Sequence, residues 1–159
     1  MSEPNLRPLH PSRKKPRPGD IFLLSPADGL FIAGRVIRDD AHATVFRGYL
    51  IYIFDHRLPT DAPPPADALT VDRLLMPPLI INRLPWSRGY FWTVSHEEFG
   101  PGQMLPRHCF RDPNRGLYWD EYSNQIAAPC EWVGFLGLSS FRTADDAVCR
   151  ALGIPLAPD

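Results

Sequence analysis

Three apolar runs near the N-terminus constrain the fold of this chain more than any other feature of its sequence. Residues 21–24 (IFLL) and 30–37 (LFIAGRVI) flank Pro26-Ala27-Asp28-Gly29, a set of residues typical of a turn. They predict a β-hairpin that begins at Gly19-Asp20. The third run, residues 45–54, is rich in β-branched and aromatic side chains. In its second half, apolar residues occur at both odd and even positions, so both faces of a strand there would be apolar. It is therefore predicted to be a central strand that is covered on both faces.

The middle of the chain continues this β-rich pattern after one interruption. Residues 58–66 are rich in proline, and residues 67–76 predict a short helix that Pro77-Pro78 must terminate. Residues 79–81 and 89–94 are strongly apolar, and both are predicted to be strands in the interior of a sheet.

The C-terminal part predicts a second hairpin and a closing helix. Residues 116–121 and 126–135 lie on either side of a polar turn. Thr143 is the predicted N-cap of the helix, Asp146 approximates a capping box, and Gly153 ends the helix. Together, the elements predict an α+β, β-rich fold. We expect a curved antiparallel sheet or an SH3-like partial barrel, with one short helix and a C-terminal helix.

The charge distribution separates an N-terminal arm from the rest of the chain. The net charge is −1, but residues 1–18 carry five basic residues against one glutamate, so the remaining residues are net acidic. The arm is also rich in proline and has few apolar residues, a composition typical of disorder. We therefore expect residues 1–18 to be a disordered basic arm and residues 19–155 to form a single domain.

Apolar patterning and cysteine usage predict the compartment. No stretch approaches the roughly 18 apolar residues of a membrane helix, and the N-terminus lacks the apolar run of a signal peptide. The cysteines Cys109, Cys130 and Cys149 are odd in number and widely spaced, which favours reduced thiols over a disulfide framework. These features predict a cytoplasmic protein that does not interact with membranes.

Complete motifs for metals, cofactors or catalysis are missing from the sequence. His96-Glu97 begins a metalloprotease pattern, but Gly100 stands where the second histidine belongs, and no C-x-x-C pair is present. We therefore expect neither a cofactor nor a metal. His108-Cys109 is the strongest enzymatic candidate, yet adjacent residues of a strand face opposite ways, so Cys109 is better explained as part of a core strand.

Two acidic pairs lie beside aromatic residues and are the candidate interaction sites. Aromatic side chains next to acids suit a contact surface for a basic partner, although solvated turns with core-facing rings have the same composition. The candidate residues are Glu97, Glu98, Trp119, Asp120, Glu121 and Tyr122.

Several landmarks in this order and spacing resemble the immunity protein 26 family of bacterial polymorphic-toxin systems, over roughly residues 15–152. They are Lys15-Pro16-Arg17-Pro18-Gly19-Asp20-Ile21-Phe22, Phe31-Ile32-Ala33-Gly34-Arg35-Val36, Pro78-Leu79-Ile80-Ile81-Asn82, Trp86-Ser87-Arg88-Gly89-Tyr90-Phe91, Cys109-Phe110 and Gly137-Leu138. The resemblance implies a cytoplasmic, non-enzymatic antidote that binds the active domain of a cognate toxin. It implies no particular binding residue.

Two other functions remain open from the sequence. One is an SH3-like nucleic-acid-binding or general protein-interaction module, in which the basic arm, Arg83 and Arg88 act with Tyr90 and Trp92 as a stacking platform. The net acidic domain makes nucleic acid the less favoured partner. The other is a hydrolase with an assembled Cys-His or carboxylate site.

Overall fold

A computed structural model describes residues 3–159, which form two sheets and two helices. The strands are β1 (Asp20–Ala27), β2 (Leu30–Ala43), β3 (Phe46–Leu58), β4 (Leu79–Ile81), β5 (Trp92–His96), β6 (Cys109–Arg111), β7 (Tyr118–Trp119), β8 (Gln125–Ile126), β9 (Val133–Phe135) and β10 (Leu138–Ser139). The helices are α1 (Leu84–Ser87) and α2 (Phe141–Leu152).

The larger sheet has six strands in the order β10-β4-β3-β2-β1-β5. The predicted first hairpin is confirmed as the antiparallel pair β1–β2, in which Phe22 lies opposite Gly34. A Cβ atom at position 34 would lie 2.3 Å from the Phe22 ring, so the close approach of this ring requires glycine. The prediction of a central third strand is also confirmed, because β3 pairs with β2 on one side and β4 on the other.

Both faces of the larger sheet are covered, and the alternation along β3 decides which residues face each way. Leu50 and Tyr52 face one core, whereas Ile51 and Ile53 face the other. The first core is closed by the two 3-10 turns, the loop after β5 and the smaller sheet. The second is closed by the N-terminal arm, α1 and α2. Residues that cover the first core are Ala66, Leu69, Leu74, Leu105 and Phe110, and those that cover the second are Leu6, Trp86, Phe91, Ala144 and Val148.

The smaller sheet has the order β8-β7-β6-β9 and contains the predicted second hairpin. The turn and its antiparallel pair are present as β7–β8, with Tyr118 opposite Ile126. The predicted second strand, residues 126–135, is divided, because residues 133–135 form β9 and pair with β6. Strand β6 lies between β7 and β9, and Phe110 in its centre is fully buried.

The α+β, β-rich class is confirmed, but three details differ from the expectation. Each sheet contains one parallel pair, β4–β10 and β6–β9, so the sheets are mixed rather than antiparallel. Strand β5 is an edge strand, not an interior one. The predicted helix at residues 67–76 is replaced by two 3-10 turns, residues 66–68 and 71–73, because Thr70 between them is extended.

The closing helix is confirmed, although its predicted N-cap is wrong. Helix α2 begins at Phe141 after an extended Ser140, so Thr143 lies inside the first turn. Gly153 ends the helix in the left-handed region with φ of 73°, as predicted. Asp145 lies inside the helix and is fully buried. Its carboxylate accepts hydrogen bonds from backbone N–H groups outside α2.

The N-terminal arm packs on the domain, which differs from the expectation of a disordered arm. Leu6 is buried in the second core, and the carboxylate of Asp145 accepts hydrogen bonds from the backbone N–H groups of Asn5 and Leu6, both at 2.9 Å. The backbone N–H groups of Leu9 and Ser12 donate to the carbonyl oxygens of Gly89 and Trp86, at 2.8 and 3.0 Å. Burial of Leu6, backbone hydrogen bonds, the Arg7–Asp28 ion pair and stacking of His10 on Trp92 therefore hold a segment whose composition is typical of disorder.

The expectation of three reduced thiols is wrong, because Cys109 and Cys130 form a disulfide with a Cα–Cα distance of 6.0 Å. Strand β9 runs beside β6, and the chain that enters β9 therefore returns Cys130 to the start of β6. Cys149 is a free, buried thiol in α2, and burial raises its pKa.

The described part of the chain, residues 3–159, has no helix that is both long and apolar enough to cross a lipid bilayer.

We expect Asp145→Ala to lower the free energy of unfolding by about 2–3 kcal/mol, because the buried N–H of Leu6 and the partly buried N–H of Asn5 lose their acceptor. Asp146→Ala is the matched control. Its carboxylate is partly exposed and lies 3.7 Å from Arg142, a geometry worth about 1 kcal/mol or less. Urea denaturation of both variants measures the difference, and equal losses would contradict the role assigned to Asp145.

Candidate interaction surface

The first acidic pair lies in the loop that leaves β5, and its backbone is held by a buried arginine. The Arg35 guanidinium donates to the carbonyl oxygens of Glu97 and Glu98, at 2.7 and 3.3 Å, and to the Gln103 side chain. It also lies 4.4 Å from the centre of the Phe99 ring. Desolvation lowers the pKa of Arg35, while Glu97 opposes that shift. The loop is thus fixed, and both glutamate side chains point into solvent.

The second acidic pair lies in the turn of the β7–β8 hairpin. The Asp120 carboxylate accepts hydrogen bonds from the backbone N–H groups of Tyr122 and Asn124, both at 2.9 Å, and so defines the turn. Trp119, on β7, is half-buried and pairs with Phe110 across the sheet. It belongs to the packing of the smaller sheet more than to its exposed surface.

Glu121 is part of a buried hydrogen-bonded chain and is only 12 % exposed. Its carboxylate bonds Nδ1 of His108, and Nε2 of the same ring meets the hydroxyl of Tyr52. The Tyr52 oxygen accepts a hydrogen bond from the Leu105 N–H at 3.0 Å. Every group is satisfied if the phenol donates to Nε2 and Nδ1–H donates to Glu121. Burial raises the pKa of Tyr52, which keeps the phenol protonated as this arrangement requires.

The tip of the β2–β3 hairpin is the most exposed apolar feature of the described chain. Val45 is 85 % exposed and Phe46 is 57 % exposed. Thr44 has a positive φ of 58°, which a β-branched residue adopts only in a tight turn. The sequence pattern placed Val45 and Phe46 in a central strand, because the two-residue turn lacks the asparagine or glycine that usually signals one.

Hydrogen bonds join this hairpin tip to the acidic turn. The Thr44 N–H donates to the Ser123 hydroxyl at 2.8 Å, and that hydroxyl donates to the His42 carbonyl at 3.0 Å. The His42 N–H donates to the Glu121 carbonyl at 2.7 Å. Two segments that are about 80 residues apart in sequence therefore form one continuous surface.

Tyr122 completes this surface between the tip and the neighbouring charges. Its side chain is 38 % exposed, and the Arg38 guanidinium lies 5.4 Å from the ring centre. The pKa of Tyr122 is raised, chiefly by desolvation, and Asp40 adds to the shift. We define the hairpin–turn surface by its apolar and acidic members, which are Val45, Phe46, Tyr122, Asp40 and Asp120.

The structure brings only part of the predicted site together. Asp120 and Tyr122 lie on the hairpin–turn surface, and Glu121 lies beneath it. Glu97 and Glu98 are in a separate loop, but the arginines that anchor the two areas, Arg35 and Arg38, are three residues apart on β2, which is about 10 Å of strand.

The residues proposed for other functions have other partners. Cys109 is in the disulfide, whereas His108 bonds Tyr52 and Glu121, so the Cys-His pair of the hydrolase alternative is not formed. The rings of Tyr90 and Trp92 stack on Phe141 and His10, respectively, and do not form one platform. Within residues 3–159, no three His, Cys, Asp or Glu side chains are grouped in a way that would hold a metal ion.

Comparison with known families gives one match. The family model described as Immunity protein 26 matches residues 17–113, which extend from the end of the arm through β6. This segment contains the hairpin tip and the Glu97-Glu98 loop, and the turn at residues 120–124 lies beyond it. Neither the comparison with curated proteins nor that with solved structures gave a match.

We expect Tyr52→Phe to lower the free energy of unfolding by about 1–3 kcal/mol, because His108 and the Leu105 N–H lose their hydroxyl partner in the core. Tyr49→Phe is the matched control, since this tyrosine is on the same strand and no hydrogen bond to its hydroxyl is present in the described residues. Guanidinium denaturation compares the two. A loss confined to Tyr49→Phe would refute the buried chain.

Proposed function

Because the chain belongs to the Immunity protein 26 family, we propose that it is a non-enzymatic immunity protein that binds and neutralises a cognate bacterial toxin. The toxin is a polymorphic-toxin or secreted effector domain, and the immunity protein meets it in the cytoplasm. The observation that carries this proposal beyond the family is the hairpin–turn surface, where exposed apolar side chains lie beside Asp40 and Asp120, with Arg38 and Arg47 nearby.

The apolar side chains of this surface supply the binding energy in the proposal. Val45 and Phe46 are held in solvent by a tip that hydrogen bonds fix to the neighbouring turn. Adjacent Tyr122 adds a ring with a polar end. A few large side chains near the centre of an interface dominate the affinity of most protein complexes, and aromatic residues are prominent among them.

In the proposal, the acidic side chains raise the rate of association with the toxin. Asp40 and Asp120 border the apolar centre, and Glu97 and Glu98 extend the negative charge along β2. Such a surface attracts a basic partner and steers its approach, which matters for an antidote that must act before its toxin does. Glu121 acts indirectly, because its contact with His108 holds the turn in place.

We expect co-expression of this chain with its cognate toxin domain, to be sought in the neighbouring genes, to restore growth of a susceptible bacterium. Expression of that toxin alone, or with an immunity protein of another family, is the control. The purified pair should also co-elute in gel filtration. A toxin that still kills while the immunity protein is expressed and folded would contradict the proposal.

We expect Phe46→Ala and Tyr122→Ala each to weaken toxin binding by about 2 kcal/mol or more, or roughly 30-fold, because each removes an exposed anchor of the surface. Phe135→Ala is the matched control, since Phe135 is 53 % exposed on the smaller sheet, outside this surface. Calorimetric titration gives the affinities.

The charge-reversed variant Asp39→Lys/Asp40→Lys should slow association while leaving dissociation nearly unchanged, since both acids are exposed and neither forms an ion pair in residues 3–159. Surface plasmon resonance at two salt concentrations separates the two rates. Unchanged association in this variant, together with full affinity in Phe46→Ala, would place the toxin on another surface.

A further inference from the structure

A second candidate surface lies along β5, the edge strand of the larger sheet, and is lined by basic side chains of the N-terminal arm. An open cleft of about 820 Å³ separates the N-terminal arm from β5. The arm forms one wall with Lys14, Lys15 and Arg17, and residues 93–96 of β5 form the other. Neither Lys14 nor Lys15 has an ion-pair partner within the described chain, and Arg17 shares Asp20 with His96.

The β5 wall is an unpaired strand edge. Strand β5 pairs with β1 on one side. On its outer side, no other described strand pairs with it, and the arm opposite makes no backbone hydrogen bond to residues 92–96. A free edge of this kind presents a row of N–H and C=O groups that another extended chain can use.

Two buried polar atoms beside the cleft also lack partners. The indole N–H of Trp86 and the hydroxyl of Ser95 are shielded from solvent, and neither forms a hydrogen bond in the described residues. Trp86 is itself almost completely buried, and both residues line the cleft. Because both atoms are shielded from solvent, an occupant of the cleft would reach them only after a local shift, and the free edge and the lysines define the cleft.

We propose that this cleft binds an extended acidic peptide segment of a partner protein, which adds as a further strand to β5. The five residues of β5 span about 17 Å, long enough for a peptide of similar length to form a regular ladder. Alternate side chains of the peptide face the arm, where carboxylates meet Lys14 and Lys15. This surface is separate from the hairpin–turn surface and does not depend on the proposed toxin partner.

The geometry favours a peptide over single-stranded nucleic acid, which needs free aromatic faces for its bases. The Trp92 ring is already stacked on His10 at 5.7 Å. The Trp86 ring is packed among Phe22, Tyr49 and Phe91. The cleft therefore offers backbone hydrogen bonding and positive charge, but no open stacking surface.

The test uses the full chain and a fluorescent peptide of about ten residues with alternating glutamate and threonine, a pattern that places carboxylates on one face of a strand. Fluorescence anisotropy should show binding that is weakened about tenfold or more by Lys14→Glu/Lys15→Glu. Arg115→Glu/Arg150→Glu makes the same change in net charge at exposed positions outside the cleft and should bind as the unmodified chain does.

Two further probes separate strand addition from charge alone. A peptide of the same charge with proline at every second threonine cannot form the ladder, and it should not bind measurably. Hydrogen exchange with the original peptide should protect the amides of residues 92–96. Equal binding of the proline peptide, absence of this protection, or tighter Lys14-dependent and Lys15-dependent binding of oligothymidine would each overturn the proposal.

Discussion

The structure depends on a sheet whose central strands are apolar on both faces. Strand β3 directs Leu50 and Tyr52 to one side and Ile51 and Ile53 to the other, so neither face can remain in water. A chain of this length has few helices to cover two faces. It therefore covers the first with loops and a small second sheet, and the second with one long helix, one short helix and the N-terminal arm.

Coverage by loops brings polar backbone into the interior, and single buried side chains satisfy it. Arg35 bonds the carbonyls of the loop after β5, Tyr52 bonds the N–H of Leu105, and Asp145 bonds two N–H groups of the arm. Each of these side chains projects from a regular element toward an irregular segment. Since an unsatisfied buried group costs about 1–3 kcal/mol, these few residues decide where the irregular segments are fixed. Tyr52 also positions the hairpin–turn surface. It bonds His108, and His108 bonds Glu121 in the turn.

The sequence predicted those parts of the fold that local patterns determine. Both hairpins, the central position of β3 and the end of α2 at Gly153 follow from alternation and turn chemistry within about ten residues. The errors arose where distant residues decide. Leu6 is one apolar residue in a proline-rich arm, and its burial depends on Asp145, 139 residues away. Cys109 and Cys130 are brought together by the parallel pair β6–β9, which no local signal reveals.

The same distinction explains the candidate site. Acids beside aromatic residues identified the turn at Asp120 and Tyr122, but local sequence does not distinguish an exposed carboxylate from one buried on a histidine, as Glu121 is on His108. Val45 and Phe46 have the composition of a central strand, and only the positive φ of Thr44 turns them into an exposed tip.

A rigid, exposed apolar tip has a specific consequence for binding. Loops that present hydrophobic side chains normally lose conformational entropy when a partner immobilises them, and that loss subtracts from the affinity. Here the tip is the end of two long strands, and Thr44 and His42 tie it to the acidic turn before any partner arrives. The cost of ordering this backbone is therefore met on folding, so in the proposed complex less of the energy gained by burying Val45 and Phe46 is lost to ordering the tip. Burial of the two cores thus stabilises a fold in which Val45 and Phe46 remain exposed to solvent in the isolated protein.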